Sequence, residues 1–301
     1  MHKPNFLIVG AAKSGTTALA NYLGQHPDVF VSQVKEPRYF ARDVIAQTSR
    51  NDPLYQSLAD TSILDSEAYY QLFAGAGCKK FRGEASVHYL YHYQSVIPKI
   101  KAELGEVKIV IIIRQPVQRA ISNFFYLRSE GDSFAEALAQ EPQRQKEGYN
   151  SFWYHRQLGF YHHQIQAYRE NFKDVKILLY DDFRQDPQVV YDDLCIFLGL
   201  PTAQLVDNGQ EVNVTTVPKS APVKWLLSLD QRFDLPRRVV NKVAGNSIQA
   251  LKKKLFIRPN YRDIETGLYN ELLDGYLADI NKLEAELQLD LSAWKKRRGA
   301  T

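Results

Sequence analysis

Cysteine is scarce in this chain. Only Cys78 and Cys195 occur, too few for a disulfide framework or a zinc site. Cys195 falls in an apolar helical pattern and reads as a small core residue. Long hydrophobic runs are missing as well. The longest, Ile109 to Ile113, has the length of a strand and not of a membrane span, so no membrane association is expected. Charge of one sign does not dominate. The chain has 38 Lys and Arg against 34 Asp and Glu, a net charge of +4, which alone does not argue for nucleic acid. Repeats and low-complexity linkers are absent, which favours one domain over residues 1–301. Met1-His-Lys-Pro4 leads straight into a strand pattern, with no room for a signal peptide. A cytoplasmic enzyme is the expectation. A domain cut from a longer polypeptide would read the same.

What is present suits a globular fold: 45% hydrophobic and 24% charged residues. Phe6 to Val9, Val107 to Ile113 and Val175 to Tyr180 are continuous apolar, β-branched runs, as expected of strands covered on both faces. Each is followed by a helical pattern. Val117, Ala120, Ile121, Phe124 and Phe125 share one helical face. Val190, Leu194, Phe197 and Leu198 share another, which Gly199 stops. Leu268, Leu272, Tyr276, Ile280, Leu283 and Leu287 mark a long C-terminal helix. This alternation predicts an α/β fold, with a central parallel sheet covered by helices on both faces. Ligands then bind at the carboxyl ends of the strands, where Gly10 to Thr17, Arg114 and Asp181 fall. Residues 41–75 are polar and read as loop and short helix. Arg237 to Arg262 holds eight Lys or Arg and no Asp or Glu. It reads as a helix whose solvated face is basic, or as a cover for a nucleotide or a dock for an acidic partner. Its Lys252-Lys-Lys254 run is too short to indicate nucleic acid.

Gly10-Ala-Ala-Lys-Ser-Gly-Thr-Thr17 joins the first strand to a helix. A Gly-bounded loop between strand and helix presents backbone N–H groups and a helix dipole to an anion. This is not the Walker A pattern, which requires Lys directly after the second glycine. Thr16 stands there, and the lysine is displaced to Lys13. Lys13 can reach the oxygen bridging a phosphate and a transferred group. Ser14, Gly15, Thr16 and Thr17 complete the cradle. Arg114-Gln-Pro-Val-Gln-Arg-Ala-Ile-Ser122 follows the second strand. An arginine fork at the sheet edge plus the Ser122 hydroxyl suits a second phosphate.

In combination these motifs resemble the 3′-phosphoadenosine 5′-phosphosulfate (PAPS)-dependent sulfotransferase family, in a bacterial-type branch related to the heparan-sulfate and carbohydrate enzymes. That family pairs a Lys-x-Gly-Thr-type loop with an Arg-x-Pro-x-x-Arg-x-x-Ser element in this order. Tyr180-Asp-Asp-Phe183, Val212 to Ser220, and Leu283-Glu284 through Asp290-Leu-Ser-Ala-Trp294 look like further family segments. The resemblance implies a P-loop-like fold. It also implies PAPS as cosubstrate with the desulfated nucleotide PAP as product, and no metal.

By the same resemblance, Lys35-Glu-Pro-Arg-Tyr-Phe40 makes Glu36 the catalytic base, although an ordinary ion pair with Lys35 or Arg38 is the plainer reading. Gly83-Glu-Ala-Ser-Val-His-Tyr-Leu90 matches the family's Gly-Glu-Lys-x-Pro-x-Tyr segment. Ala85 stands where some glycan-acting members have lysine, which weighs against a heparan-like acceptor. Glu84 is an alternative base or an orienting group. His88 is a structural histidine or a second acid or base, since imidazole titrates near neutral pH. Lys219 is a cofactor contact or a solvated loop lysine. Tyr39, Tyr89, Tyr91, Phe125 and Tyr126 form either core or the wall of an apolar acceptor pocket. The acceptor implied is a hydroxyl of a glycan, a small alcohol or phenol, or a β-hydroxyacyl chain on an acyl carrier protein. Two rivals stand beside this reading. A P-loop kinase or NTPase would use Asp181 as a Walker B carboxylate and require Mg²⁺. A binding module would keep the fold without turnover.

Overall fold

The computed structural model describes residues 3–127, 133–206, 217–218, 256–257 and 264–299. The chain divides into two compact units, Met1–Asn213 with Ile264–Thr301, and Val214–Asp263.

The first unit holds one parallel sheet with helices around it. Its strands are β1 (Phe6–Gly10), β2 (Val29–Val31), β3 (Phe81–Ala85), β4 (Lys108–Ile113) and β5 (Val175–Leu179), in the order β2-β3-β1-β4-β5. Every pairing is parallel, with Phe6 opposite both Gly83 and Lys108, and Ile109 opposite Val175. The apolar runs predict β1, β4 and β5 to within a residue. Tyr180 differs: it opens helix α10 rather than ending β5. Asp181 and Asp182 in that first turn suit the positive end of a helix. β2 and β3 carry no such run. β2 is three residues long, and β3 reads Phe-Arg-Gly-Glu-Ala.

The helices are α1 (Thr16–Leu23), α2 (Arg42–Ala46), α3 (Tyr55–Thr61), α4 (Ser66–Gln71), α5 (His88–Tyr91), α6 (Tyr93–Leu104), α7 (Pro116–Leu127), α8 (Phe134–Lys146), α9 (His162–Asn171), α10 (Tyr180–Gln185), α11 (Pro187–Leu198) and α12 (Thr266–Leu287). Alternation along the strands decides which layer each helix joins. Phe6, Ile8, Val110 and Ile112 share a buried cluster with Leu19 and Leu23 of α1 and Leu194, Cys195 and Leu198 of α11. Leu7, Val9, Ile109, Ile111 and Ile113 point the other way and are equally buried. α5 packs on β1, and α6, α7, α9 and α12 interlock around it to build a second layer. α11 starts at Asp186, whose carboxylate accepts from the N–H groups of Gln188 and Val189, and stops at Gly199 in the left-handed region. Among the described residues no helix is long and apolar enough to cross a membrane.

In the second unit the described residues form one antiparallel pair, β6 (Val217–Pro218) with β7 (Phe256–Ile257). Lys219 and, apart from β7, the basic stretch from Arg237 to Arg262 lie outside the described residues.

Candidate active site

Because all five strands run the same way, their carboxyl ends meet at one edge. The motifs that follow β1, β2, β3 and β4 leave the sheet there. β1 feeds the loop 11–15. Lys13 (φ 67°) and Gly15 (φ 94°) both adopt the left-handed conformation. Gly15 is the costlier site for a side chain, since a Cβ there would also press on the Tyr180 ring at 3.1 Å. Thr16 then opens α1 with no side-chain cap and no acid in the first turn. The first-turn N–H groups are left for an anion. Ser14 adds a buried hydroxyl with no hydrogen-bond partner among the described residues. A polar atom placed so is costly unless something binds it, and phosphate oxygens fit that need. Thr16 is buried and Thr17 is exposed at the mouth of this cradle.

Arg114 ends β4. Its Nη1 donates to the Lys13 carbonyl at 3.4 Å, and its guanidinium lies 4.6 Å from the Tyr180 ring centroid. Tyr180 thus floors both the β1 loop and the arginine. Ser122 and Arg119 sit three residues apart on α7, on one face, and both are buried. Arg119 Nη2 donates to the His155 carbonyl. Lys13 Nζ rests 3.9 Å above the Tyr126 ring. Burial, then the positive charges of Arg114 and Arg119, lower its pKa to about 8.

Glu36 lies in the loop after β2, with φ 60°. Its N–H donates to the Ala85 carbonyl at 3.2 Å. Its Oε1 meets Lys35 Nζ at 2.5 Å, and its Oε2 accepts from Val87 N at 3.0 Å. Burial raises the carboxyl, but the neighbouring cations, Lys35 foremost, outweigh it and hold the group well below the usual carboxylate range. The ion pair with Lys35 therefore exists, and it keeps Glu36 ionised. Lys35 Nζ also sits 3.4 Å from the Ala85 carbonyl, so a lysine from the β2 loop stands beside the position where the motif lacks one.

Glu84 is turned into the interior. It accepts from Ser86 Oγ at 2.8 Å and Tyr69 Oη at 3.4 Å. Burial pushes it up to about 7. Ser86 Oγ also accepts from Arg38 N at 3.0 Å. Glu84 thus braces the Glu36 loop from beneath. His88 opens α5, fully buried, with Nε2 3.1 Å from Asn150 Oδ1 and Nδ1 3.8 Å from Glu36 Oε2. Burial holds its pKa below the ordinary histidine value. Contacts run from the cradle to the base. Tyr126 lies over Lys13 and 6.4 Å from Phe152, Phe152 meets His88 edge-on at 4.7 Å, and His88 faces Glu36.

Several open readings are decided. Tyr39, Tyr89 and Phe125 are core rather than pocket wall, packed by neighbouring rings and helices. Tyr91 is half-buried against Tyr154, and Tyr126 is the exposed ring. Asp181 accepts from Trp294 Nε1 at 3.1 Å, so the carboxylate compared with Walker B ties down the C-terminal segment. Glu284 likewise accepts from Leu291 N and pairs with Lys295. Asn150 and Asp52, which hold His88 in place, carry no motif. The available signal was Asn before Ser-Phe-Trp, a residue type that caps short helices.

The family model described as "Sulfotransferase family" matches residues 4–204. A solved sulfotransferase from Alicyclobacillus acidocaldarius superposes with a TM-score of 0.75 at 31% identity, covering 98% of this chain and 100% of that one. Bifunctional heparan sulfate N-deacetylase/N-sulfotransferase 3 of Mus musculus is 27% identical over 214 residues, 65% of this chain and 22% of its own length. Membrane-associated sulfotransferase kil1 of Dictyostelium discoideum is 27% identical over 123 residues, 41% of this chain and 23% of its own. This chain therefore spans less than a quarter of the length of these two curated relatives. With the matched family model covering the cradle, Arg114, Ser122, Glu36 and His88, the chain belongs to the sulfotransferase family.

Proposed function

We propose that the chain transfers a sulfuryl group from PAPS to a hydroxyl acceptor by direct in-line displacement. The observation that carries this reading is the run of contacts from Lys13 through Tyr126, Phe152 and His88 to Glu36. Those contacts support a short path between an anion cradle and the Glu36 carboxylate.

PAPS supplies the activated sulfuryl group and an anionic leaving group. The uncapped start of α1, Thr16, Thr17 and the orphan Ser14 hydroxyl would hold its 5′-phosphate. Arg114 and Ser122 would hold its 3′-phosphate, and Lys219 is proposed as a further contact. Lys13 would stabilise, through its ammonium, the charge that develops on the bridging oxygen as the bond to sulfur lengthens. Glu36 accepts the acceptor's hydroxyl proton. Its ion pair with Lys35 keeps it unprotonated beforehand. Relatives named for heparan sulfate and carbohydrate support a glycan as the acceptor class. A small alcohol or phenol and a carrier-bound β-hydroxyacyl chain satisfy the same chemistry.

Titration calorimetry with PAP tests the division of roles. Arg114→Ala weakens PAP by about 10- to 100-fold, the loss of charge-assisted hydrogen bonds. Lys13→Ala weakens it less but lowers turnover by about 10²-fold or more. Magnesium-dependent ATP binding that outcompetes PAP would overturn the assignment.

A further inference from the structure

Behind Glu36 lies an imidazole fixed in one tautomer. Asn150 Oδ1 accepts from Phe152 N at 3.0 Å, so that amide atom is the oxygen and not the nitrogen. The same Oδ1 faces His88 Nε2 at 3.1 Å. Asn150 cannot turn away easily. Its own N–H donates to Asp52 Oδ2 at 2.6 Å, and Asp52 Oδ1 accepts from Trp153 Nε1 at 2.8 Å. An acceptor opposite Nε2 requires Nε2 to carry the proton. In the neutral ring, which burial favours, Nδ1 then presents a lone pair, and it faces Glu36 Oε2 across 3.8 Å. Among the described residues Nδ1 has no hydrogen-bond partner.

Two acceptors facing each other in a buried site are short of one proton. The other neighbours do not provide it. Phe152 meets the ring edge-on, and His92 stacks 6.4 Å away with its Nε2 on Ser151 Oγ. Arg38, the nearby cation, has its Nη1 on Thr61 and Ser62. Glu36 is also a poor store for a proton. Lys35 and the Val87 N–H both favour its ionised form.

Building on the PAPS reaction above, we propose that the acceptor's proton passes through Glu36 to His88 Nδ1, and that Asn150 positions the ring to receive it. The acceptor O–H bond breaks as its oxygen bonds to sulfur, and the proton joins Glu36 Oε2. The bond from sulfur to the bridging oxygen breaks, and its electron pair stays on the nucleotide phosphate. The Oε2–H bond then gives way to Nδ1–H. Glu36 returns to a carboxylate, and His88 becomes an imidazolium that donates to Asn150 Oδ1 and Glu36 Oε2. The proton returns through Glu36 to water after product leaves.

Histidine tautomers are read directly in long-range ¹H–¹⁵N spectra of the full chain, labelled at histidine and saturated with PAP, with His88 assigned by its loss in His88→Gln. The expected result is the Nε2–H tautomer at neutral pH, with that preference lost in Asn150→Leu. The Nδ1–H tautomer overturns the relay, because the ring would then merely donate to Glu36. Turnover supplies the second readout, with labelled PAPS and whichever member of a panel of simple sugars, phenols and alcohols is sulfated. His88→Gln lowers kcat by about 10²-fold, leaves PAP affinity unchanged and shifts the acid limb of the kcat–pH profile. An unshifted limb defeats the relay while the transfer reaction stands. Absence of transfer by the unaltered chain to every acceptor defeats both.

Discussion

Lys13 meets two opposed demands. It must be charged to neutralise the leaving oxygen, yet burial and its arginine neighbours lower its pKa from 10.5 to about 8. The sign follows directly. As pH rises through about 8 the free site loses a positive charge, and anion affinity falls with it. A bound anion restores the proton, since an opposite charge favours the ionised form. PAP binding is therefore expected to take up protons between about pH 8 and pH 10, the span between the lowered and ordinary lysine values. Calorimetry in buffers of different ionisation heat measures this. Lys13→Arg, always protonated, removes the uptake; uptake that persists in that variant assigns it to another group. At this scale the sequence was legible where chemistry needs a rare pattern. Lys13 before Gly15 stood out from spacing alone, and Arg114 with Ser122 gained weight only beside it. Glu36 did not: beside Lys35 and Arg38 it looks like any surface acid, and the family likeness alone singled it out. Asn150 was invisible, because its role depends on a fold that brings it to His88 across 62 residues.

Strand ends and loops set the next scale. The β1 loop depends on Gly15, which combines a left-handed backbone with a Tyr180 ring that would crowd any Cβ there. Gly15→Ala is expected to lower stability by about 1–2 kcal/mol and to weaken PAP binding. Retained PAP affinity with lost stability would mean that the cradle is not shaped by that residue. Glu84 on β3 gives a pH-dependent counterpart. Its folded pKa, about 7, lies above the ordinary 4.5. The group's contribution is full below about 4.5 and is lost as pH rises through 7, when a carboxylate must be buried. Glu84→Gln removes that loss, worth at most about 3 kcal/mol. Denaturant midpoints at pH 5 and pH 8 should therefore converge in the variant relative to the parent. Equal differences in both proteins would show Glu84 to be unperturbed. β2 and β3 escaped detection because neither shows an apolar run or a clean alternation. β3 keeps Gly83 where a Cβ would fall 2.4 Å from the Phe6 ring, and its acidic Glu84 is sheltered by tyrosines rather than by solvent.

Across the whole molecule, parallel topology gathers the chemistry. Residues far apart in the chain meet because each leaves the same edge of one sheet. That much was legible, since three continuous apolar runs alternating with amphipathic helices leave few other architectures. Residues 127–172 were not legible, because α8, α9 and the turns between them are held by polar contacts such as Asp52 to Trp153 and Glu141 to the N–H groups of Arg156 and Gln157. The sheet centre bears the stability. Ile111 is wholly buried on β4, and Ile111→Ala is expected to cost about 2–5 kcal/mol in denaturant unfolding. A loss under about 1 kcal/mol would mean that the core repacks around the gap.

The central claim, sulfuryl transfer driven by the cradle and Glu36, is tested most directly by incubating the chain with ³⁵S-labelled PAPS and a panel of sugar, phenol, alcohol and carrier-bound β-hydroxyacyl acceptors. The account predicts label in at least one acceptor, one PAP formed per sulfuryl group transferred, and about a 10²-fold or greater fall in rate for Glu36→Gln with PAP affinity kept. A Glu36→Gln variant as active as the parent would contradict it.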